Sequence, residues 1–298
     1  MTRLLCATDL LPKSERAIDR AGILARELGA DLSLLHVVSP TASERVLEQE
    51  LQIAIARMRS RVRPPLWRHG AAPEVVVRPG NPVRLICDTL AREPVDLLII
   101  GPHERRNMVD GVSGTIAEKV LSARKCPLLL VQQDADVSYR NVLFALDDSP
   151  ESGLAVRGAE ALVLGSQSQA TVLHVYEPPL KGMVPSARQA TSAQEARDRA
   201  ATGIQQLLKR ESADDTRYEV LVEEGHPIPA IVRAVEQHRP QLLVMGTRAV
   251  SRMRRALLGS VASQLLKDLT GCDVLIVPRD SLRPSMSAGE LRSTVSGA

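Results

Sequence analysis

Residues 3–17, RLLCATDLLPKSERA, return in altered form at residues 141–155, NVLFALDDSPESGLA, an offset of 138. The same offset aligns LSLLHVV (32–38) with ATVLHVY (170–176). At an offset of 145, RPGNPVRLI meets EEGHPIPAI, VDLLIIGPHE meets PQLLVMGTRA, and SGTIAEKVL meets LGSVASQLL. One residue later, KCPLLLV meets GCDVLIV. A repeat of this length means two homologous domains rather than a solenoid of small units. Expected boundaries are residues 1–135 and 139–279, joined by a short linker around QQDADVSY. The tail 280–298 has few large apolar residues and is expected to be disordered.

Within each copy, short apolar runs alternate with segments of helical period. In the first copy the strand-like runs are Leu4–Thr8, Leu32–Val38, Glu74–Arg78, Leu97–Ile100 and Leu128–Val131. SERAIDRAGILARELG and PVRLICDTLAR read as helices. Gly29 and Gly165 are placed to cap the first helix of each copy at its C-terminus. Continuous apolar strands separated by helices imply a parallel sheet covered on both faces. Each copy is therefore an α/β domain, doubly wound and five-stranded, of Rossmann-like type.

Charge excludes some partners. Lys and Arg number 38 against 35 Asp and Glu, a net of +3, too weak a field for a nucleic-acid binder. One Phe, one Trp and three Tyr leave few platforms for stacking bases. The densest basic stretch, RMRSRVRPPLWR, reads as a solvated face. No apolar run is long enough to span a membrane. The N-terminus enters a strand at once and has no signal-peptide layout, so export is not expected. Four scattered cysteines, Cys6, Cys87, Cys126 and Cys272, fit reduced thiols in a cytoplasmic protein.

In an open α/β sheet, ligands bind beyond the carboxyl ends of the strands, at the switch point. In the second copy that places Asp147 after strand 1, Val175 on strand 2, Gly246 on strand 4, and Gly259-Ser260 where the fourth helix opens. The counterparts in the first copy are Asp9, Val37, Gly101, Gly114 and Thr115. A helix terminus of this kind offers unpaired N–H groups and the positive end of a dipole to an anion. The competing reading is structural: an Asp after a strand also caps the next helix.

These residues, with the LHV of strand 2 and the G(N/H)P turns at 80 and 225, resemble a tandem universal stress protein. The resemblance implies strand order 3-2-1-4-5 in each domain and pairing of the domains through their fifth strands. It implies ATP or another adenine nucleotide as ligand. Asp147 and Asp148 offer carboxylates to an accompanying Mg²⁺, although two adjacent acids after a strand more often cap a helix. The implied site in domain 2 is Ala145, Asp147, Val175, Met245, Gly246, Arg248, Gly259, Ser260 and Val261. In domain 1 it is Ala7, Asp9, Val37, Gly101, Gly114, Thr115 and Ile116. His36 and His174 lie inside strands and read as structural. Binding members carry Gly-x-x-Gly after strand 4, but its second glycine is Glu104 here in one copy and Ala249 in the other. A carboxylate beside a triphosphate is worse than a methyl group, so domain 2 is expected to be the better site and domain 1 degenerate. Arg105 and Arg106 are placed to neutralise Glu104, and Arg248, Arg252, Arg254 and Arg255 either screen phosphates in domain 2 or form a solvated loop.

No P-loop, zinc-protease or dinucleotide fingerprint is present, and no catalytic or metal-ligating residues are assigned. The leading reading is a stress-response protein with a regulatory nucleotide. A non-nucleotide adaptor and a slow ATPase are the alternatives. A further homodimer and a protein partner stay open.

Overall fold

A computed structural model describes residues 1–41, 43–62, 72–102, 115–123, 126–176, 186–247, 259–279 and 281–282, the side chains of 186–192 excepted. The first half runs β1 (Arg3–Thr8), α1 (Pro12–Leu28), β2 (Asp31–Val38), α2 (Glu44–Arg61), β3 (Glu74–Pro79), α3 (Pro82–Arg92), β4 (Leu97–Ile100), α4 (Ile116–Ser122) and β5 (Leu128–Leu130). The second half repeats this as β6 (Asn141–Ala145), α5 (Pro150–Leu162), β7 (Gln169–Tyr176), α6 (Ser186–Glu211), β8 (Tyr218–Glu224), α7 (Pro227–His238), β9 (Leu242–Thr247), α8 (Ser260–Asp268) and β10 (Asp273–Pro278).

All ten strands form one sheet in the order β3-β2-β1-β4-β5-β10-β9-β6-β7-β8. Each half thus has the order 3-2-1-4-5, and every pairing within a half is parallel. The halves meet in the antiparallel pair β5–β10, where Leu130, Leu129 and Leu128 face Val274, Leu275 and Ile276. Fifth-strand pairing therefore occurs within the chain.

The alternation of strand side chains builds two cores, one on each face. Leu97 and Ile99 of β4 join α1, α2, α5 and α6 on one face; Leu98 and Ile100 join α3, α4, α7 and α8 on the other. Both cores run through the β5–β10 junction without a break. That continuity is what buries a strand on both faces.

Helix ends follow local chemistry. Pro begins α1, α3, α5 and α7, where its missing N–H costs nothing. Gly29 caps α1 in the left-handed region with φ 57°, as the sequence implies. The matching expectation at Gly165 fails. α5 stops at Val163, with φ −140°, and Gly165 instead gives its N–H to Ser168 Oγ at 3.0 Å. The residues 132–139 between the halves are held down: Tyr139 is buried, and Gln132 and Gln133 donate their N–H groups to Asp273 at 2.7 and 2.9 Å.

Candidate functional site

Each β1-type strand is flanked by the second and fourth strands of its domain, so the crossovers leave it in opposite directions. A cavity opens at each of these switch points. In domain 2 it measures about 430 Å³, and Ala145, Asp147, Val175, Met245, Gly246, Gly259, Ser260 and Val261 all line it. In domain 1 it measures about 300 Å³, and Ala7, Asp9, Val37, Gly101, Thr115 and Ile116 all line it. The remaining expected residues, Arg248 and Gly114, lie outside the described residues. So do Glu104, Ala249 and the arginines at 105, 106, 252, 254 and 255.

The aspartates are built into turns. Asp147 Oδ1 accepts the Ser149 N–H at 3.1 Å and the Ser152 hydroxyl at 2.8 Å, and it also holds the Ser149 hydroxyl. Ser152 Oγ in turn accepts the Asp147 N–H at 2.9 Å. Asp9 Oδ1 accepts the Leu11 N–H at 3.0 Å. One carboxylate oxygen of each thus closes the turn ahead of the following helix, but neither Asp is the cap itself: that position falls to Leu11 in α1 and Ser149 in α5. The histidines secure the same turns. Nδ1 of His36 donates to the Thr8 carbonyl and Nδ1 of His174 to the Leu146 carbonyl, both at 2.8 Å. The carbonyl partner fixes the tautomer.

The strand-4 glycines have a packing role that the sequence did not reveal. A Cβ on Gly246 would stand 2.4 Å from the Glu151 carbonyl oxygen and 2.7 Å from its carbon. On Gly101 it would stand 2.6 Å from Ser14 Cα. The first helix of each domain thus crosses strand 4 at backbone contact. This brings Ser149, Glu151 and Ser152 into the domain 2 cavity wall. Glu151 is buried and pairs with Arg279 at 3.3 Å.

The two phosphate-type helix termini differ. α8 has Gly259 at its N-cap, a residue with no side chain to cap it. Its first residues, Gly259 to Ala262, face the domain 2 cavity. α4 begins with a complete capping box. Thr115 Oγ1 accepts the Glu118 N–H at 3.2 Å, and Glu118 Oε2 accepts the Thr115 N–H at 2.8 Å. A carboxylate of the chain itself thereby occupies the terminus where an anion would sit. The other oxygen of Glu118 reaches domain 2, accepting from Ser263 Oγ at 2.5 Å and Lys267 Nζ at 2.9 Å. Burial pushes the Glu118 carboxyl up, but its bonds to Ser263, the Thr115 N–H and Lys267 outweigh this and hold it below its ordinary value. The T-x-x-E signature at 115–118 was the sequence signal for this cap.

Among the described residues, no group of three or more His, Cys, Asp or Glu is placed to hold a metal ion. Burial raises the thiols of Cys6, Cys126 and Cys272 to about 12, so they stay protonated. No described helix is long and apolar enough to cross a membrane.

A family model described as the universal stress protein family matches residues 1–132 and again 138–278. A universal stress protein of Mycolicibacterium smegmatis (strain ATCC 700084 / mc(2)155) is 22% identical over 291 residues, covering 93% of this chain and 97% of that one. Among solved structures, a functionally unknown protein from Pseudomonas aeruginosa PAO1 aligns with a TM-score of 0.64 at 17% identity, covering 100% of this chain and 98% of the other. A universal stress protein from Archaeoglobus fulgidus DSM 4304 aligns at 0.61 with 18% identity, covering 93% and 98%. At these identities the structural likeness speaks for the fold alone.

Proposed function

The chain belongs to the universal stress protein family, and we propose that its second domain binds ATP or another adenine nucleotide as a regulatory ligand. The observation that carries this is the α8 terminus: Gly259 leaves it without a side-chain cap, and it opens into a cavity bounded by Asp147, Val175 and Gly246. The base would lie against Ala145, Val175 and Met245, the sugar beside Asp147, and the phosphates over the N–H groups of Gly259, Ser260 and Val261. Mg²⁺ would enter with the phosphates, because the described wall residues offer carboxylates but no cage of protein ligands.

Domain 1 is the weaker or silent partner in this reading. Glu118 fills the terminus of α4, which has only seven residues. In this reading residues 1–135 and 139–279 are the two functional units. Occupancy of the second, rather than turnover, is the output, read by a partner through the state of the paired domains.

The test is the nucleotide content of freshly purified protein, released by denaturation and separated by chromatography, for wild type and Gly259→Asp. The expected result is an adenine nucleotide in the wild type that the variant lacks, since a carboxylate at the N-cap of α8 would hold the N–H groups that the phosphates need. A wild-type protein that is empty and does not bind millimolar Mg-ATP would overturn the proposal and favour an adaptor.

A further inference from the structure

The two cavities are not copies of each other. All the described residues lining the larger one belong to domain 2, but the domain 1 cavity borrows a wall from its neighbour. α8 opens at the domain 2 cavity with Gly259 to Ala262, and its last turn and the residues after it, Leu266, Lys267, Leu269 and Thr270, line the domain 1 cavity. α4 makes no reciprocal contribution to the domain 2 wall.

The chemistry of the domain 1 wall also differs. Leu35, Ile86, Ile100, Leu130, Leu266 and Leu269 are among the residues that line it. Most polar groups of its described wall are engaged with protein, the Ser14 and Thr270 hydroxyls apart. Thr8 Oγ1 accepts the Leu10 N–H at 3.0 Å, and Asp9 Oδ1 accepts that of Leu11. Thr115 and Glu118 satisfy each other. The Gln132 amide donates to the Cys272 carbonyl at 2.9 Å, and the Lys267 ammonium is paired with Glu118. Among the described residues, a counter-charge for an ionic ligand would have to come from one of these pairs, whereas an apolar ligand would only displace water from aliphatic surface. The volume, about 300 Å³, is at the lower end of small-molecule pockets, roughly 300–1,000 Å³. Val37 and Ile116, which line the cavity, are only partly buried, leaving apolar surface that a ligand would cover.

From this we infer that the domain 1 cavity is a binding site for an uncharged, mainly apolar small molecule, assembled from both domains and lined in part by α8. It is a different site from the proposed nucleotide site and stands or falls separately from it.

The test uses the full chain and N-phenyl-1-naphthylamine, an uncharged aromatic probe whose fluorescence rises in apolar surroundings. Saturable binding of one probe per chain is expected. Val37→Phe fills the cavity from β2. Thr270→Trp covers its mouth from an exposed position, without touching the core. Both should weaken probe binding about tenfold or more. Val175→Phe, which fills the domain 2 cavity instead, should leave probe affinity within about twofold. No saturable binding by the wild type would overturn the inference. So would full binding by folded Thr270→Trp, or a loss confined to Val175→Phe.

Discussion

A glycine at the end of strand 4 invites a ligand explanation, because ligands bind at that end of the sheet. The distances give another. With 2.4 Å between a Cβ at Gly246 and the Glu151 carbonyl oxygen, backbone meets backbone, and neither can rotate away. Gly246→Ala should therefore cost about 1–3 kcal/mol of stability, the usual range for overpacking a filled site. Gly101→Ala should behave alike, with Ser14 Cα at 2.6 Å. Urea denaturation without nucleotide measures both. An unchanged midpoint for Gly246→Ala would mean that the glycine serves ligand approach alone. At this scale the sequence was legible in position but not in cause. The repeat offsets brought eight of the nine expected domain 2 residues to one cavity. They could not show that Asp147 spends one oxygen on the start of α5, or that Gly246 answers to Glu151. Those are contacts between elements, and spacing along a chain does not encode them.

Among the elements, α4 and α8 were expected to be equivalent and are not. Their sequences differ at one decisive place: Glu118 aligns with Ser263, and these two residues meet in space at 2.5 Å. The T-x-x-E capping box was readable in advance, and its second bond into domain 2 was not. Because Glu118 is held below its ordinary value of 4.5, the folded state binds its proton less tightly than the unfolded chain does. Its contribution is then fully present above about pH 4.5 and is lost as the pH falls through the lowered folded value. Glu118→Gln should cost about 1–2 kcal/mol at neutral pH, for a weakened cap and a lost charge-assisted bond. The gap between wild type and variant should hold from about pH 7 to pH 5 and close below that range. Denaturation midpoints from about pH 7 down to about pH 3 measure it. A gap that widened on acidification would mean that the carboxyl is held above its ordinary value. Gly165 illustrates the opposite limit. A glycine after a helical run looks like a cap, but the nearby Ser168 hydroxyl captured its N–H, and the helix ended earlier.

For the whole molecule, the strand order shows why the halves join where they do. The outer strands β3 and β8 carry Glu74, Arg78, Glu219, Glu223 and Glu224, charges that protect an open edge. β5 is three leucines, buried on both faces, and would be an aggregation-prone edge if left alone. That contrast was legible in the sequence. The lock beside the junction was not, because its parts are separated by more than a hundred residues. Asp273 is fully buried at the start of β10. It accepts the Tyr139 hydroxyl at 2.5 Å and two linker N–H groups. Arg20 from α1 lies over the Tyr139 ring at 3.8 Å and gives a nitrogen to the Val137 carbonyl at 2.7 Å. Its Nε stands 3.6 Å from Asp273, an ion-pair distance rather than a hydrogen bond. Asp273→Ala strands a buried guanidinium and three donors and should cost about 3–5 kcal/mol. Arg20→Met should be costly for the converse reason. If the two charges act as a pair across the domains, the double variant should lose less than the sum of the single losses, by about 0.5–3 kcal/mol. Guanidinium denaturation of the four proteins closes this cycle. Strict additivity would assign the lock to Tyr139 and the linker amides, leaving Arg20 bound through its ring contact and the Val137 carbonyl alone.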